Sequence, residues 1–231
     1  GRDNGRCQFR VTPNHLISTP NGDMAAELLE EGDEVMTLQE KTLSDQSFQI
    51  LLGGLYGDSH LKVKSNGYFS MIQCQHGENQ TEYCKWKAKI LGTLVKYNDK
   101  YNTWYSKPLI EFDQFDQRNE NWIDQLDLLS IAIMYMDDGS FNNDKCFIYK
   151  KWKENELTFL HNKIEALTGA KGSISERWGR ITYCTAQMRK FHDSIAKFIH
   201  PSMRYKLYEK CALRFEEIFF IERYREVLYP M

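Results

Sequence analysis

Two stretches of the chain are apolar for the length of a short helix and then stop at an acid. Residues 51–61 read LLGGLYGDSHL and residues 128–141 read LLSIAIMYMDDGSF, with Asp58 closing the first run and Asp138 the second, eighty positions later. Runs of this length and composition predict buried helices. Gly139 follows Asp138 and can take the left-handed conformation that closes a helix, and Ser59 fills that place after Asp58. Gly53 and Gly57 stand four apart, so one face of the first helix is bare and another helix can come close. An acid at a helix C-terminus faces the negative end of the helix dipole. Two such acids side by side repel unless a cation lies between them. Packing the bare-faced helices together would bring Asp58 and Asp138 to one spot, a set of oxygen ligands suited to a divalent metal. The same pattern also reads as two buried helices with ordinary acids at their ends.

Beyond each acid the predicted elements come in the same order. After Asp58 come strand-like residues from His60 to Gln75 and a helix from about Glu78 to Leu91, stopped by Gly92. After Asp138 come a strand from Lys145 to Lys151 and a helix from about Glu154 to Leu167, stopped by Gly169. Further strand segments follow in each half, Tyr97–Tyr105 and Ser173–Cys184, the second with a hairpin tip at Trp178-Gly179. A last helix is expected in each, about Leu109–Phe115 and Ala186–Ile199. The repeat is one of element order, not of residue identity.

The ends of the chain differ from this pattern. FRVTPNHLIST alternates enough for a strand, Pro20 to Asp23 is a turn, and MAAELLEEGDEV reads as a short helical turn and another strand. Beyond Tyr208, residues Phe215, Ile218, Phe219 and Glu222 sit at helical spacing. That spacing predicts a helix packed on the second half, with a DNA-contacting tail as the alternative.

Composition adds a few bounds. The 231 residues, 42% of them hydrophobic, allow one large domain or two small ones with a real core. The net charge of −2 counts mildly against nucleic-acid binding, but 30 Lys and Arg could still gather on one face. The six cysteines form no CxxC pair, which suggests reduced thiols rather than a zinc site or a disulfide frame. No signal peptide is visible and no run of about 18 apolar residues could span a membrane. The expectation is a cytoplasmic protein that is not secreted.

Leu51–Ser59 and Ile131–Gly139 both resemble the nine-residue LAGLIDADG motif, with Asp58 and Asp138 in the place of its last acid. MDDGS, residues 136–140, resembles the second motif of single-chain LAGLIDADG homing endonucleases. HPSMRYKLY, residues 200–208, resembles a further segment of that family, whose lysine, here Lys206, lies in the active site. The resemblance spans residues from about 47 to 210. It implies an α+β fold of two pseudo-symmetric αββαββα halves whose antiparallel sheets form a saddle over DNA, with residues 45–125 as the first half and 126–231 as the second. Residues 1–44 form a small, mostly β extension. Within it, VTPNHLISTPNGDMAAELLEEGDEV resembles a block of intein (Hint) domains, with Thr12 and His15 in its Thr and His places. No Cys or Ser opens the chain and no His-Asn pair ends it, so self-splicing is not expected. A histidine on an apolar strand is expected to be a satisfied core residue.

The resemblance implies a mechanism. Asp58 and Asp138 would jointly hold Mg²⁺, with Mn²⁺ able to substitute, while Asp137 lies off the metal in the helix interface. A basic residue near each scissile phosphate would stabilise developing charge: Lys206 in the second half, and in the first half Arg118, or failing that Lys107. Gln75 and Lys150, at strand ends, fall where the family keeps polar residues behind the metal ligands. Lys62, Lys64, Lys145, Tyr149, Lys151, Arg177 and Arg180 project from strands or a hairpin tip and suit contacts to phosphates and major-groove base edges. Solvated sheet faces are the alternative for any one of them. Three function classes remain: a monomeric site-specific endonuclease on double-stranded DNA, an RNA maturase, and a catalytically silent DNA-binding regulator. The intact pair of acids favours the first.

Overall fold

The computed structural model describes residues 11–19, 22–35, 43–62, 71–106, 121–149, 154–209 and 211. The chain divides into two units, Gly1–Thr42 and Leu43–Met231. In the first, β1 (Leu16–Thr19) and β2 (Gly22–Ala25) form an antiparallel hairpin, Leu16 opposite Ala25 and Thr19 opposite Gly22. A 3₁₀ turn, Ala26–Leu28, follows. Two expectations fail here. No strand forms among Leu29–Val35; Glu30 and Asp33 instead close a turn on each other. His15 is exposed ahead of β1, not buried in a core; among the described residues of this unit the two-stranded hairpin has no second layer to cover it.

The second unit carries the doubled pattern. Its first half runs α1 (Asp45–Leu55), β3 (Ser59–Lys62), β4 (Met71–Gln75), α2 (Thr81–Leu91), β5 (Val95–Asn98) and β6 (Thr103–Ser106). A single helical turn, α3 (Asn121–Asp124), leads to the second half: α4 (Leu128–Asp138), β7 (Gly139–Asn142), β8 (Lys145–Tyr149), α5 (Glu154–Thr168), β9 (Ser173–Ser175), β10 (Arg180–Cys184) and α6 (Thr185–Ile195). The sheets repeat one antiparallel order, β3-β4-β6-β5 and β7-β8-β10-β9. The expected helix at 109–115 and the expected C-terminal helix lie outside the described residues. Among the described residues, no helix is long and apolar enough to cross a membrane.

Local chemistry sets the element ends. Ser44 caps α1 by accepting from the Ser47 amide at 3.2 Å. Asp127 and Ser130 form a reciprocal capping box at the start of α4, each cap worth about 1 kcal/mol. Gly92 ends α2 and Gly169 follows α5, both at positive φ (54° and 66°), as the glycine stops predicted. Gly139 does not follow that rule. Its φ of −77° is extended backbone, and glycine is needed there because a Cβ would strike the ring and carbonyl of Tyr135.

The core is organised on the contact of α1 with α4. Ile50, Leu51 and Leu52 of the first and Ile131 to Met136 of the second are buried. The bare face of α1 is where they meet. A Cβ on Gly53 would run into the Ser130 carbonyl and stand 2.9 Å from Ile133 Cβ, and one on Gly57 would stand 2.5 Å from Asp137 Cβ. Gln49 adds a polar link, its amide donating to the Gln125 carbonyl at 2.9 Å and accepting from the Asp127 amide at 3.3 Å.

A buried polar chain ties α4 to α6 and the segment beyond it. The Tyr208 amide donates to His192 Nδ1 at 3.1 Å, so the ring's hydrogen sits on Nε2. Nε2 meets the Tyr135 hydroxyl at 2.9 Å, and that hydroxyl donates to the Lys206 carbonyl at 2.7 Å. Burial pushes His192 down to about 3, against a small upward pull from Asp193.

Gly53→Ala is expected to destabilise the protein by about 2 kcal/mol or more through overpacking at the helix contact. Gly77→Ala is its control: Gly77 has a φ of −66° and open space around its Cβ position, so urea unfolding should barely change. A second expectation concerns pH. The unfolded imidazole of residue 192 binds a proton near pH 6.5 that the folded ring refuses until about pH 3. Its contribution is therefore full above pH 6.5 and lost as pH falls toward 3. Thermal melts of wild type and His192→Gln across that window should converge on acidification, the variant lacking this part of the slope.

Candidate active site

The last turn of α1 closes early. The Tyr56 and Gly57 amides bond back to the Leu52 and Gly54 carbonyls at 3.2 and 2.9 Å, which places Asp58 on a turn just past the helix. Asp138 is the last residue of α4 itself. Both line one cleft of about 600 Å³ with His60, Gln73, Gln75 and His76, floored by Gly57 and Gly77. The juxtaposition expected from the two apolar runs is thus present, and Gln75 of the predicted set joins it.

Asp58 is half-buried. Its Oδ2 lies 3.2 Å from His76 Nδ1, and its backbone amide donates to Asp137 Oδ2 at 3.3 Å. Burial alone would raise the Asp58 carboxyl, but the bond and charge of His76, with the charges of Lys87 and Lys206, hold it below the usual range. His76 shows the reverse balance. Burial and Lys87 push it down, yet the bonds to Asp58 and Cys74 and the charge of Asp137 win, and it rises to about 9.

Asp137 is packed behind the cleft in the space that Gly57 leaves. Its carboxylate accepts from Lys87 Nζ at 2.9 and 3.2 Å and from the Tyr83 hydroxyl at 2.8 Å. Lys87 and Asp137 side chains are both fully buried. Burial disfavours the Lys87 ammonium, but Asp137 more than compensates and its pKa is raised. Losing either partner would strand a buried charge, at a cost of about 3–5 kcal/mol. Asp58, His76 and Asp137 offer ligand atoms within 4.8 Å of one another. A cation there would have to displace Lys87 from a carboxylate that three donors already satisfy, so the trio is better described as a chain of hydrogen bonds and ion pairs. Asp137 thus sits off the cleft, in the helix interface.

Lys206 ends a 3₁₀ segment, Pro201–Lys206, and is buried. Its Nζ donates to the carbonyls of Met136 at 2.5 Å and Asp137 at 3.3 Å, which puts a cation on the negative end of α4. Burial lowers its pKa, and Asp137, Asp58 and Asp138 only partly offset that. It lies within electrostatic reach of both cleft acids without lining the cleft.

The remaining predicted residues are spread over the sheets. Lys62 is exposed at the end of β3; Lys145 and Tyr149 are exposed on β8. Arg177 is exposed at the β9–β10 tip, its guanidinium 5.1 Å from the Trp178 ring. Arg180 is half-buried, stacked 4.8 Å from the Phe147 ring and 5.9 Å from that of Tyr149. Lys64, Lys107, Arg118, Lys150 and Lys151 lie outside the described residues. The registers Ser59↔Cys74 and Gly139↔Ile148 make Gln75 the counterpart of Tyr149 in the second half. Three residues at the site were not anticipated: His76, Tyr83 and Lys87. Lys87 did leave a sign. It stands between Tyr83 and Leu91 at four-residue spacing, a charge in the apolar stripe of α2. A lone His76 after a strand leaves none.

No protein-family model matches the chain. It is 31% identical over 237 residues to the protein RecA of Mycolicibacterium flavescens, a match covering 88% of this chain and 56% of that protein. RecA of Mycobacterium shimoidei is 30% identical over 239 residues, with the same shares covered. The chain thus spans about half the length of the curated relatives it matches. Among solved structures, the homing endonuclease I-WcaI bound to its DNA recognition sequence superposes with a TM-score of 0.63 at 18% identity, over 73% of this chain and 88% of that one. The two four-stranded sheets in pseudo-symmetric halves, each led by one of the paired helices, are the LAGLIDADG homing-endonuclease fold.

Proposed function

We propose that the chain is a site-specific homing endonuclease that hydrolyses both strands of a long double-stranded DNA target, acting as a monomer. The observation that carries this reading is the meeting of Asp58 and Asp138, one from each pseudo-symmetric half, in a single cleft. One chain then supplies an acid for each strand of a duplex whose own symmetry is twofold. The DNA-bound state of I-WcaI supports DNA as the partner. The resemblance of residues 11–35 to a Hint block, with Thr12 and His15 in its Thr and His places, supports an intein origin, and an action on DNA fits a site in the cytoplasm or nucleoid.

The donor set fits Mg²⁺, with Mn²⁺ able to substitute. Two carboxylates and the Gln75 side chain line the cleft, hard oxygen donors of the kind Mg²⁺ prefers, with room left for water. When bound, the metal supplies Lewis-acid activation of the attacking water and charge neutralisation at the leaving oxygen. The protein's part is placement and charge. Asp58 and Asp138 carry the negative charge that would hold the metal ions, one acid on the side of each strand. Lys206 places a positive charge on the carbonyl dipoles at the end of α4, beneath Asp138. Arg118, Lys107 and Lys150 are retained as candidates for further polar contacts near the phosphates. The outward residues Lys62, Lys64, Lys145, Tyr149, Lys151, Arg177 and Arg180 would meet phosphates and base edges along the two sheets.

Cleavage of a randomised duplex library should require Mg²⁺ or Mn²⁺, stop with EDTA, and select one site of about 20 base pairs. Asp58→Asn and Asp138→Asn should each lower the cutting rate by about 10³-fold or more, with binding of the selected duplex kept within a few-fold. Normal cutting by either variant would remove that acid from the reaction. Binding of DNA or RNA without any cutting by the unaltered protein would replace this reading with a regulator or a maturase.

A further inference from the structure

His76 is buried at the edge of the cleft, one residue past the end of β4, and the proposed reaction gives it no part. Its Nδ1 lies 3.2 Å from Asp58 Oδ2 and 3.1 Å from Gln80 Oε1. Two acceptors converge on one nitrogen, so Nδ1 carries a hydrogen whether the ring is neutral or charged. On the other side Nε2 meets Cys74 Sγ at 3.2 Å and Asp137 Oδ1 at 3.8 Å. The ring packs against Tyr83, centroids 5.1 Å apart. Both nitrogens and one ring face are therefore pinned, and the imidazole is a rigid donor.

The two acids need different amounts of such help. Asp138 belongs to the last turn of α4, and β7 begins at the next residue, so regular backbone holds it on both sides. Asp58 stands on a turn beyond α1, its amide held by Asp137 at 3.3 Å. We propose that His76 is a positioning residue for Asp58, its Nδ1–H holding Oδ2 so that Oδ1 is left for the cleft, and that it sets the rate at which the DNA strand on the Asp58 side is cut. This inference rests on the endonuclease reading and deepens it. Hydrogen-bond partners standing behind metal ligands typically contribute 10- to 100-fold in affinity or activity. The resulting asymmetry has a visible consequence: without His76 the duplex is nicked before it is broken.

The test uses the full chain and a duplex carrying the selected site, each strand labelled at a different end. His76→Leu fills the space without a donor, and His76→Asn returns an N–H close to the Nδ1 position. In the Leu variant one strand should be cut about 10- to 100-fold more slowly than in wild type and the other at its normal rate, so nicked duplex accumulates. The Asn variant should recover most of the lost rate. Duplex affinity in EDTA should stay within about twofold of wild type in both variants. Equal slowing of both strands, weaker duplex binding in step with slower cutting, or no recovery by Asn would assign His76 a general structural role and overturn the inference. Unchanged cutting by the Leu variant would overturn it as well, leaving the endonuclease reading intact. If wild type itself fails to cut, the endonuclease reading is wrong and this inference falls with it.

Discussion

The close approach of α1 and α4 is the constraint on which the rest of the second unit depends. Gly53 lies against the Ser130 backbone and Gly57 against Asp137, so the helices approach closely at both glycines and their ends come together in one cleft. A side chain at either glycine would push the helices apart, and Asp58 and Asp138 with them. Elsewhere in the core, packing sets stability; at this seam it also sets the distance between the two acids.

Bringing acids to one point concentrates negative charge, and the structure answers with three cations of different kinds. Lys87 neutralises Asp137 inside the protein, beyond the reach of water. Lys206 sits on the carbonyls that end α4. His76 faces Asp58 from the edge of the cleft. Two of the three are anchored on groups other than the cleft acids, so the negative charge of Asp58 and Asp138 is balanced without being covered on the cleft side.

The paired helices, the repeat of elements and the meeting of Asp58 with Asp138 were legible in the sequence because each leaves a local mark: an apolar run, a glycine stop, an acid at a run's end. The stops at Gly92 and Gly169 were of this kind and hold. Gly139 looked the same but serves to clear Tyr135, a through-space reason with no one-dimensional signature. Lys206 was recognisable by its surrounding motif, but its burial on the α4 carbonyls was not, since that depends on how a late 3₁₀ segment folds back on a helix far earlier in the chain. His76 was invisible because its partners, Asp58, Gln80 and Asp137, come from three separate elements. His15 misled for the opposite reason: its segment looks apolar, but among the described residues of its unit there is only a two-stranded hairpin, and His15 is exposed ahead of it.

The buried Lys87–Asp137 pair also decides which halves can be married. Gly57 and Asp137 occupy matching places in the two motifs, yet one is bare and the other charged, and the countercharge sits in the first half. Two copies of the first half would face each other with a pair of entombed lysines and no acid between them. Two copies of the second would press carboxylate on carboxylate with no bare position to receive either. The duplicated architecture is therefore no longer interchangeable: each half is a lock cut for the other's key. A chimaera that borrows one half from a relative would need the two halves to match at this seam, with Gly57 and Lys87 on one side and Asp137 on the other.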